Sequence, residues 1–272
     1  MKYSNLILFI LLFHSFFIYG YSLNPEKSYK YTVDDYGINF SDSLKISTSD
    51  GYNIFTYFFD PSGKNLRKTI IISYGDAGNL SYCFSYARRL TRCGYSVVLF
   101  DYRGFGKSDE FKINKEQLFY TEFAKDLSAV INETKSRYPQ NLVGVMAFSM
   151  GTIITTLIND VDPIDFIIAE NYVTNIYTVR ERLKNIPKHH SPFLLPEDLT
   201  NDEYLSKIKK IKTPVLVFSS SLDRVTTLED SYALSENNQC KIIIYEGEHG
   251  CGFLTLSEKY FDEINLFLDK IR

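Results

Sequence analysis

The chain has few of the residues and patterns that mark fibrous, repetitive or cysteine-based proteins. Its 272 residues include 14 glycines, 8 prolines and 4 cysteines. Without a glycine or proline excess, a heptad pattern or an internal repeat, collagen, coiled-coil and solenoid architectures have no support. The cysteines form no CxxC pair, so zinc ribbons and thioredoxin-type motifs have no support either.

An excess of charge of one sign is also lacking. The sequence has 30 Lys and Arg residues against 33 Asp and Glu residues, a formal charge of −3. It therefore has no basic footprint for nucleic acid and no polybasic face for anionic lipid. Hydrophobic residues make up 44% of the chain, which is typical of a globular protein.

One long hydrophobic run lies near the N-terminus. Residues 6–19 are apolar except for His14 and Ser15, a run shorter than the roughly 20 residues that a membrane-spanning helix needs. Gly20-Tyr21-Ser22 then offers small residues at the two positions that signal peptidase selects. We predict a signal peptide over residues 1–22 and no stable membrane span after its removal. The protein is then secreted or exported (extracellular, periplasmic or in the secretory lumen), and an uncleaved signal anchor is the alternative.

From residue 44 onwards, strand-like and helix-like segments alternate. Residues 44–48 and 52–59 flank the turn Ser49-Asp50-Gly51, which predicts a β-hairpin. Continuous apolar runs follow at 69–74, 96–100, 142–148, 165–169, 215–219 and 241–245. Such runs are typical of strands buried on both faces of a parallel sheet.

Helical periods lie between these runs, for example in the apolar stripe that begins at Phe119 and ends at Ile131. Shorter helical candidates lie at 80–92, 151–159 and 228–235, and a second long one lies near the C-terminus. The order predicts an α/β fold: a mostly parallel, doubly wound sheet entered by an antiparallel hairpin, in a single domain over 23–272. Residues 172–212 break the rhythm with three prolines and no sustained period, which predicts a small lid or cap insertion.

The most informative segment is Ala147-Phe148-Ser149-Met150-Gly151, which joins a predicted strand to a predicted helix. A tight strand-to-helix turn pushes a serine hydroxyl out of the sheet, as a nucleophile requires. The alternative is an ordinary serine at a helix N-cap.

With this segment the chain resembles the α/β-hydrolase superfamily, in its serine-aminopeptidase-like and carboxylesterase or thioesterase branch. The family's elbow is Gly-x-Ser-x-Gly, and Ala147 occupies its first position. Residues 101–108, Asp-Tyr-Arg-Gly-Phe-Gly-Lys-Ser, are similar to a further family segment, in which Arg103 would brace loops under the active site. The resemblance runs from about residue 36 to the C-terminus.

The resemblance implies a Ser-His-Asp triad whose members follow in the order serine, acid, histidine. His249 follows the last predicted strand, where the fold places its base, whereas His189 and His190 lie among the prolines of the predicted lid. Asp223 follows the strand at 215–219 and resembles the family's acid; its alternative is a turn aspartate paired with Arg224. Glu170 is the second candidate for the acid.

The resemblance also places an oxyanion hole at two backbone N–H groups, those of Asp76 and Met150. Residues 72–79 resemble the family's His-Gly-Asn-Ala-Gly-Asn loop, with Tyr74 in place of the histidine and Asp76 in place of the first asparagine. A carboxylate near a developing negative charge would slow turnover unless it points away.

We therefore expect hydrolysis of a small-molecule or lipid acyl ester or thioester through an acyl-enzyme, with no metal and no organic cofactor implied. Phe193, Leu194 and Leu195 would line an apolar acyl pocket or, alternatively, pack into the core. A serine aminopeptidase is one alternative function. The other is a non-catalytic α/β-hydrolase scaffold that binds a ligand or partner, which the departures at Ala147, Tyr74 and Asp76 would suit.

Overall fold

A computed structural model of the protein describes residues 22–187, 191–235 and 239–272. Of the predicted signal peptide, only Ser22 lies among the described residues, and His189 and His190 lie outside them. In these ranges no helix is both long enough and apolar enough to cross a membrane.

Ten strands occur in the described ranges. They are β1 (Asn24–Pro25), β2 (Asp42–Ser47), β3 (Asn53–Phe59), β4 (Lys68–Ser73), β5 (Ala77–Gly78), β6 (Ser96–Phe100), β7 (Leu142–Phe148), β8 (Phe166–Glu170), β9 (Val215–Ser220) and β10 (Cys240–Tyr245). Eight of them form one sheet in the order β10-β9-β8-β7-β4-β6-β3-β2. β2 with β3, and β3 with β6, pair antiparallel, and the other neighbours pair parallel. The prediction of a mostly parallel sheet entered by a hairpin is confirmed.

Eight α-helices of the described chain flank this sheet. They are α1 (Phe84–Arg92), α2 (Glu122–Arg137), α3 (Met150–Ile158), α4 (Ile176–Lys184), α5 (Asn201–Lys210), α6 (Leu228–Ser235), α7 (Gly252–Leu256) and α8 (Glu258–Leu268). The helix predicted over 80–92 is in fact divided, because a 3₁₀ turn over Leu80–Cys83 precedes α1.

The segment 172–212 contains two helices where the sequence showed no sustained period. Asn175 caps the N-terminus of α4, and its Oδ1 accepts the N–H groups of Tyr177 and Thr178. α5 begins at a capping box in which Thr200 and Glu203 bond each other's backbone N–H. Both helices bury only a few side chains, so their apolar stripes are short. Capping residues, rather than periodicity, were the available indication of these helices.

The first described residues bind the loop that follows β4. β1 pairs in parallel with β5: Asn24 N donates to Asp76 O (2.9 Å), and Glu26 N donates to Gly78 O (2.9 Å). The buried amide of Asn79 reaches back and donates to Glu26 O at 3.1 Å. Ser22 is buried as well, with its Oγ 2.9 Å from Ser191 Oγ. Residues 76–79, which belong to the predicted oxyanion loop, are therefore anchored by residues 24–26, which lie outside the main sheet.

Arg103 occupies a buried ion-pair network at the hairpin end of the sheet. Its guanidinium lies 2.7 Å from Asp126 Oδ1 on α2 and 2.9 Å from Asp50 Oδ2 in the hairpin turn. It also stacks over the ring of Tyr52 at 4.1 Å. Arg103 and Asp126 are fully buried. Their ion pair therefore has to offset the free-energy cost of removing both charges from water. This contact joins the hairpin to the segment 101–108 and to α2.

We expect Arg103→Met to lower the free energy of unfolding by about 3–5 kcal/mol, because Asp126 is left buried without its partner. Arg137→Met is the matched control. Arg137 also pairs with an aspartate, Asp42, and stacks over a phenylalanine, but at a partly exposed site, so its loss should cost at most about 1 kcal/mol. Urea unfolding of both variants measures the difference, and equal losses would contradict the role given to burial.

Candidate active site

Ser149 lies in a strained turn between β7 and α3. Its backbone has φ 48° and ψ −112°, a region that residues other than glycine seldom adopt. Close packing fixes this turn: a Cβ on Gly151 would lie 1.9 Å from the carbonyl oxygen of Ser73. The last position of the five-residue motif therefore accepts only glycine. Ala147, at its first position, is a fully buried residue of β7.

The structure brings Ser149, His249 and Asp223 together in one chain of hydrogen bonds. His249 Nε2 lies 3.0 Å from Ser149 Oγ, and His249 Nδ1 lies 2.7 Å from Asp223 Oδ2. The tautomer with the proton on Nδ1 satisfies both contacts, since Nδ1–H donates to the carboxylate and Nε2 accepts from the hydroxyl. This arrangement can transfer a proton from Ser149 to His249.

Asp223 is held as a carboxylate in the loop after β9. Its Oδ1 accepts the backbone N–H of Val225 at 2.7 Å, and its Oδ2 accepts the hydroxyl of Thr226 at 2.6 Å. Burial acts to raise the pKa of Asp223, but the charge and hydrogen bond of His249, together with the hydrogen bonds of Thr226 and Val225, outweigh it and hold the pKa at about 2. Arg224, the partner in the alternative interpretation, is solvent-exposed.

The electrostatics of His249 favour the imidazolium that would form during catalysis. Burial acts to lower the pKa of His249, but the charge and hydrogen bond of Asp223 raise it, and Asp76 and Glu170 add to this effect. The pKa of His249 consequently lies above its ordinary value.

Glu170, the second candidate for the acid, is engaged elsewhere. Its carboxylate accepts the backbone N–H of Gly252 at 2.6 Å and the hydroxyl of Tyr260 at 2.8 Å. Both partners lie beyond His249 along the chain. The carboxylate that meets the imidazole at hydrogen-bond distance is that of Asp223.

The two residues of the predicted oxyanion hole, Asp76 and Met150, both line the cavity in front of Ser149. Met150 is the first residue of α3, so its N–H belongs to the positive end of a helix dipole. Burial raises the pKa of the Asp76 carboxyl, although His249 acts in the opposite direction. Tyr74, at the family's histidine position, is buried and packs against Tyr102 with 5.0 Å between ring centroids.

Ser149 and His249 open into a mainly apolar cavity. The cavity has a volume of about 150 Å³. Ile176, Val179 and Leu183 form one wall, since their spacing puts them on a single face of α4. Phe193 also lines the cavity.

The two interpretations of the tripeptide 193–195 each hold for one residue: Phe193 lines the cavity, and Leu195 packs against the core. Phe193 is buried in the cavity wall, whereas Leu194 is 40% exposed and Leu195 is half-buried. The backbone of Leu194 bonds Glu116 and Leu118, and its side chain is not among those that line the cavity. Sequence hydrophobicity alone does not show this difference.

The described chain offers no metal site of ordinary composition. In residues 22–187, 191–235 and 239–272, no group of three or more His, Cys, Asp or Glu side chains could hold an ion. All four cysteines, which lie within these ranges, are free thiols.

Sequence reasoning missed Asn171, which follows β8 directly. Its side chain contacts both the loop of Asp223 and the loop of His249. The available indication was its position, because the carboxyl ends of neighbouring parallel strands meet at one edge of a sheet.

The chain is similar to several known proteins. A family model described as "Serine aminopeptidase, S33" matches residues 64–167. The uncharacterized protein YfhR of Escherichia coli (strain K12) is 28% identical, over 89% of this chain and 86% of YfhR. The Pyrococcus furiosus esterase Pf2001 has a TM-score of 0.75 at 19% identity, over 92% of this chain and 97% of the esterase. An esterase from Exiguobacterium antarcticum has a TM-score of 0.61 at 18% identity, over 84% and 100%. These likenesses confirm the predicted fold.

We expect the kcat/KM of the protein to fall as the pH drops through the pKa of His249, because an imidazolium cannot accept the Ser149 proton. The midpoint should lie above about 6.5, the ordinary value for histidine. Asp223→Asn removes the carboxylate that raises this pKa. Its midpoint should move to lower pH, and its activity should fall by about 10⁴-fold.

A pH–rate profile of a chromogenic ester measures both effects. Asp262→Asn is the control, since Asp262 is exposed on α8, and its midpoint should match the wild type. A midpoint that stays unchanged in Asp223→Asn would contradict the role given to Asp223.

Proposed function

We propose that the protein is a member of the α/β-hydrolase superfamily and an exported serine hydrolase that cleaves carboxylic ester or thioester bonds; the family match over residues 64–167 and the fold of the esterase Pf2001 support this. Ser149 is the nucleophile, His249 the general base and acid, and Asp223 the residue that orients the imidazole. The observation that carries this proposal is the unbroken set of hydrogen bonds from Ser149 Oγ through His249 to Asp223, beside an apolar cavity that Ser149 and His249 line.

The chemistry follows from this geometry. His249 Nε2 takes the Ser149 proton as Oγ attacks the carbonyl carbon, and the N–H groups of Met150 and Asp76 receive the oxyanion. The imidazolium then donates its proton to the departing alkoxide or thiolate, which leaves an acyl-enzyme. In the second half-reaction His249 takes a proton from a water molecule as its oxygen attacks the acyl carbon. The imidazolium then donates that proton to Ser149 Oγ, the bond between Oγ and the acyl carbon breaks, and the acid is released.

The apolar cavity favours an acyl chain over a charged substrate. Among the described residues that line it, Asp76 is the one with a carboxyl side chain, and none is Lys or Arg. Asp76 is also the observation that favours the second candidate, an aminopeptidase, because a carboxylate could bind a substrate ammonium group. The rest of the lining is mainly apolar, so ester or thioester hydrolysis ranks first.

Export rests on the pattern of residues 1–22. A cut after Ser22 would remove a residue that lines the cavity, while Leu23 would keep its backbone bond to Lys115 O at 3.1 Å. The position of the cut therefore determines whether Ser22 remains as part of the cavity lining.

We expect a fluorophosphonate probe to label the wild-type protein on Ser149, because an activated serine attacks phosphorus as it attacks a carbonyl carbon. Ser149→Ala should remove the labelling and lower ester hydrolysis by about 10⁵–10⁶-fold. Ser257→Ala is the matched control: Ser257 has similar backbone angles (φ 52°, ψ −120°) but is exposed between α7 and α8.

Intact mass before and after labelling also shows whether residues 1–22 are removed. A folded wild type that takes no label would favour the non-catalytic scaffold. Faster turnover of aminoacyl amides than of esters or thioesters would favour the aminopeptidase.

The cavity predicts a preference for longer acyl chains. Each buried CH₂ group contributes about 0.8 kcal/mol, so kcat/KM should rise by about fourfold per added CH₂ until the cavity is filled. Val179→Trp adds bulk to the wall that α4 provides and therefore narrows the cavity. It should lower kcat/KM for long-chain esters by at least about tenfold and leave acetyl esters within about threefold.

Tyr177→Trp is the control for this variant, because Tyr177 lies on the exposed face of α4. A p-nitrophenyl ester series of increasing chain length measures both proteins. Equal losses on short and long esters in Val179→Trp would contradict acyl binding along this wall.

A further inference from the structure

Asn171 joins the two loops that carry Asp223 and His249. Its Nδ2 donates to Asp223 Oδ2 at 2.7 Å, and its Oδ1 accepts the backbone N–H of Gly250 at 2.7 Å. The residue is 3% exposed, so both bonds lie out of water, where an unpaired group is costly. One side chain thus connects the acid to the residue that directly follows the base.

Asparagine satisfies both the backbone and the side-chain requirements at this position. Asn171 has φ 59°, the left-handed region that glycine and asparagine tolerate best. Its amide offers a donor to a carboxylate and an acceptor to an N–H group. A flipped amide would set oxygen against Asp223 and nitrogen against Gly250, so the two partners fix its orientation.

The bond to Asp223 acts on the oxygen that faces the imidazole. Asp223 Oδ2 accepts hydrogen bonds from His249 Nδ1, Asn171 Nδ2 and Thr226 Oγ1, at distances of 2.6–2.7 Å. These contacts prevent the carboxylate from rotating. Without Asn171, the carboxylate would lose one of them and the N–H of Gly250 would lose its partner.

The neighbouring Glu170 holds the other side of the histidine loop. Its carboxylate accepts the N–H of Gly252 at 2.6 Å, and a Cβ on Gly252 would lie 2.9 Å from that carboxylate. Its backbone oxygen accepts the N–H of Ser149 at 3.1 Å. The end of β8 therefore contacts the loops of all three triad residues.

From this geometry we propose that Asn171 is a positioning residue that sets the imidazole of His249 between Asp223 and Ser149. The inference rests on the proposed function, since it assigns a role within the same site. Asn171 acts through Asp223 and Gly250.

Two substitutions separate positioning from general stability. Asn171→Gly keeps the left-handed backbone and deletes both side-chain bonds; its kcat should fall by about 10–100-fold, with KM within about threefold. Asn171→Asp keeps the shape but replaces the donor. Its protonated form can still donate to Asp223 and its ionised form cannot, so above the pKa of His249 its kcat should decline as pH rises, whereas that of the wild type stays level.

Several other titratable groups surround this position and contribute to that profile. They are Asp223, His249, Glu170, Tyr245 and, acting on the imidazole, Asp76. The comparison with wild type is informative because these groups are common to both proteins.

Asn159→Gly is the matched control. Asn159 ends α3, and its Oδ1 accepts the hydroxyl of Thr213 at 3.0 Å, outside the cavity lining. It should change thermal stability without changing kcat or the pH profile.

A second readout does not depend on turnover. In Ser149→Ala the low-field proton resonance of His249 Nδ1–H reports its bond to Asp223, and it should shift or broaden when Asn171→Gly is added. An unchanged resonance together with unchanged kcat would overturn the positioning role. Failure of the proposed function itself appears separately, as a wild type that takes no fluorophosphonate label.

Discussion

The parallel register of β7, β8, β9 and β10 is the constraint on which the site depends. Phe148 lies opposite Glu170, Glu170 opposite Phe218, and Ser220 opposite Tyr245. Because parallel neighbours end at the same edge, the four turns that follow these strands leave the sheet side by side. A shift of one residue in any pair would turn the inward side chains outward and would separate the hydroxyl, the imidazole and the carboxylate.

The fold could be predicted largely because strands buried in a parallel sheet appear in the sequence as continuous apolar runs. The runs at 96–100 and 142–148 coincide with β6 and β7, and the hairpin around Asp50 lies where its turn residues indicated. The short pairing of β1 with β5 could not be predicted, since two residues have no periodicity and their partner is distant in sequence. α4 and α5 could not be predicted from periodicity for a related reason. Their buried faces are small, and capping residues determine where they begin.

The site shows the same division. Ser149, Asp223 and His249 each follow a strand-like run, so their placement at one edge followed from the strand order. Asn171 also follows a strand but belongs to no recognisable motif. Its importance arises from its contacts with Asp223 and Gly250, which lie 52 and 79 positions further along the chain. Phe193 lines the cavity while Leu194 does not, and this depends on a left-handed backbone at Phe193 (φ 49°) that composition does not encode.

The charges around His249 show what the proposed chemistry requires of the rest of the site. Asp223, Asp76 and Glu170 all raise the pKa of the imidazole, which helps it to accept the serine proton. The same negative charges oppose an oxyanion beside Ser149. In the proposed mechanism, stabilisation of the oxyanion would therefore come from dipoles that carry no net charge, such as the N-terminal N–H groups of α3, which begins directly after Ser149. The strained φ of Ser149 and the close approach of Gly151 to Ser73 are what set the first turn of α3 at this point, so backbone packing and electrostatics are parts of one arrangement.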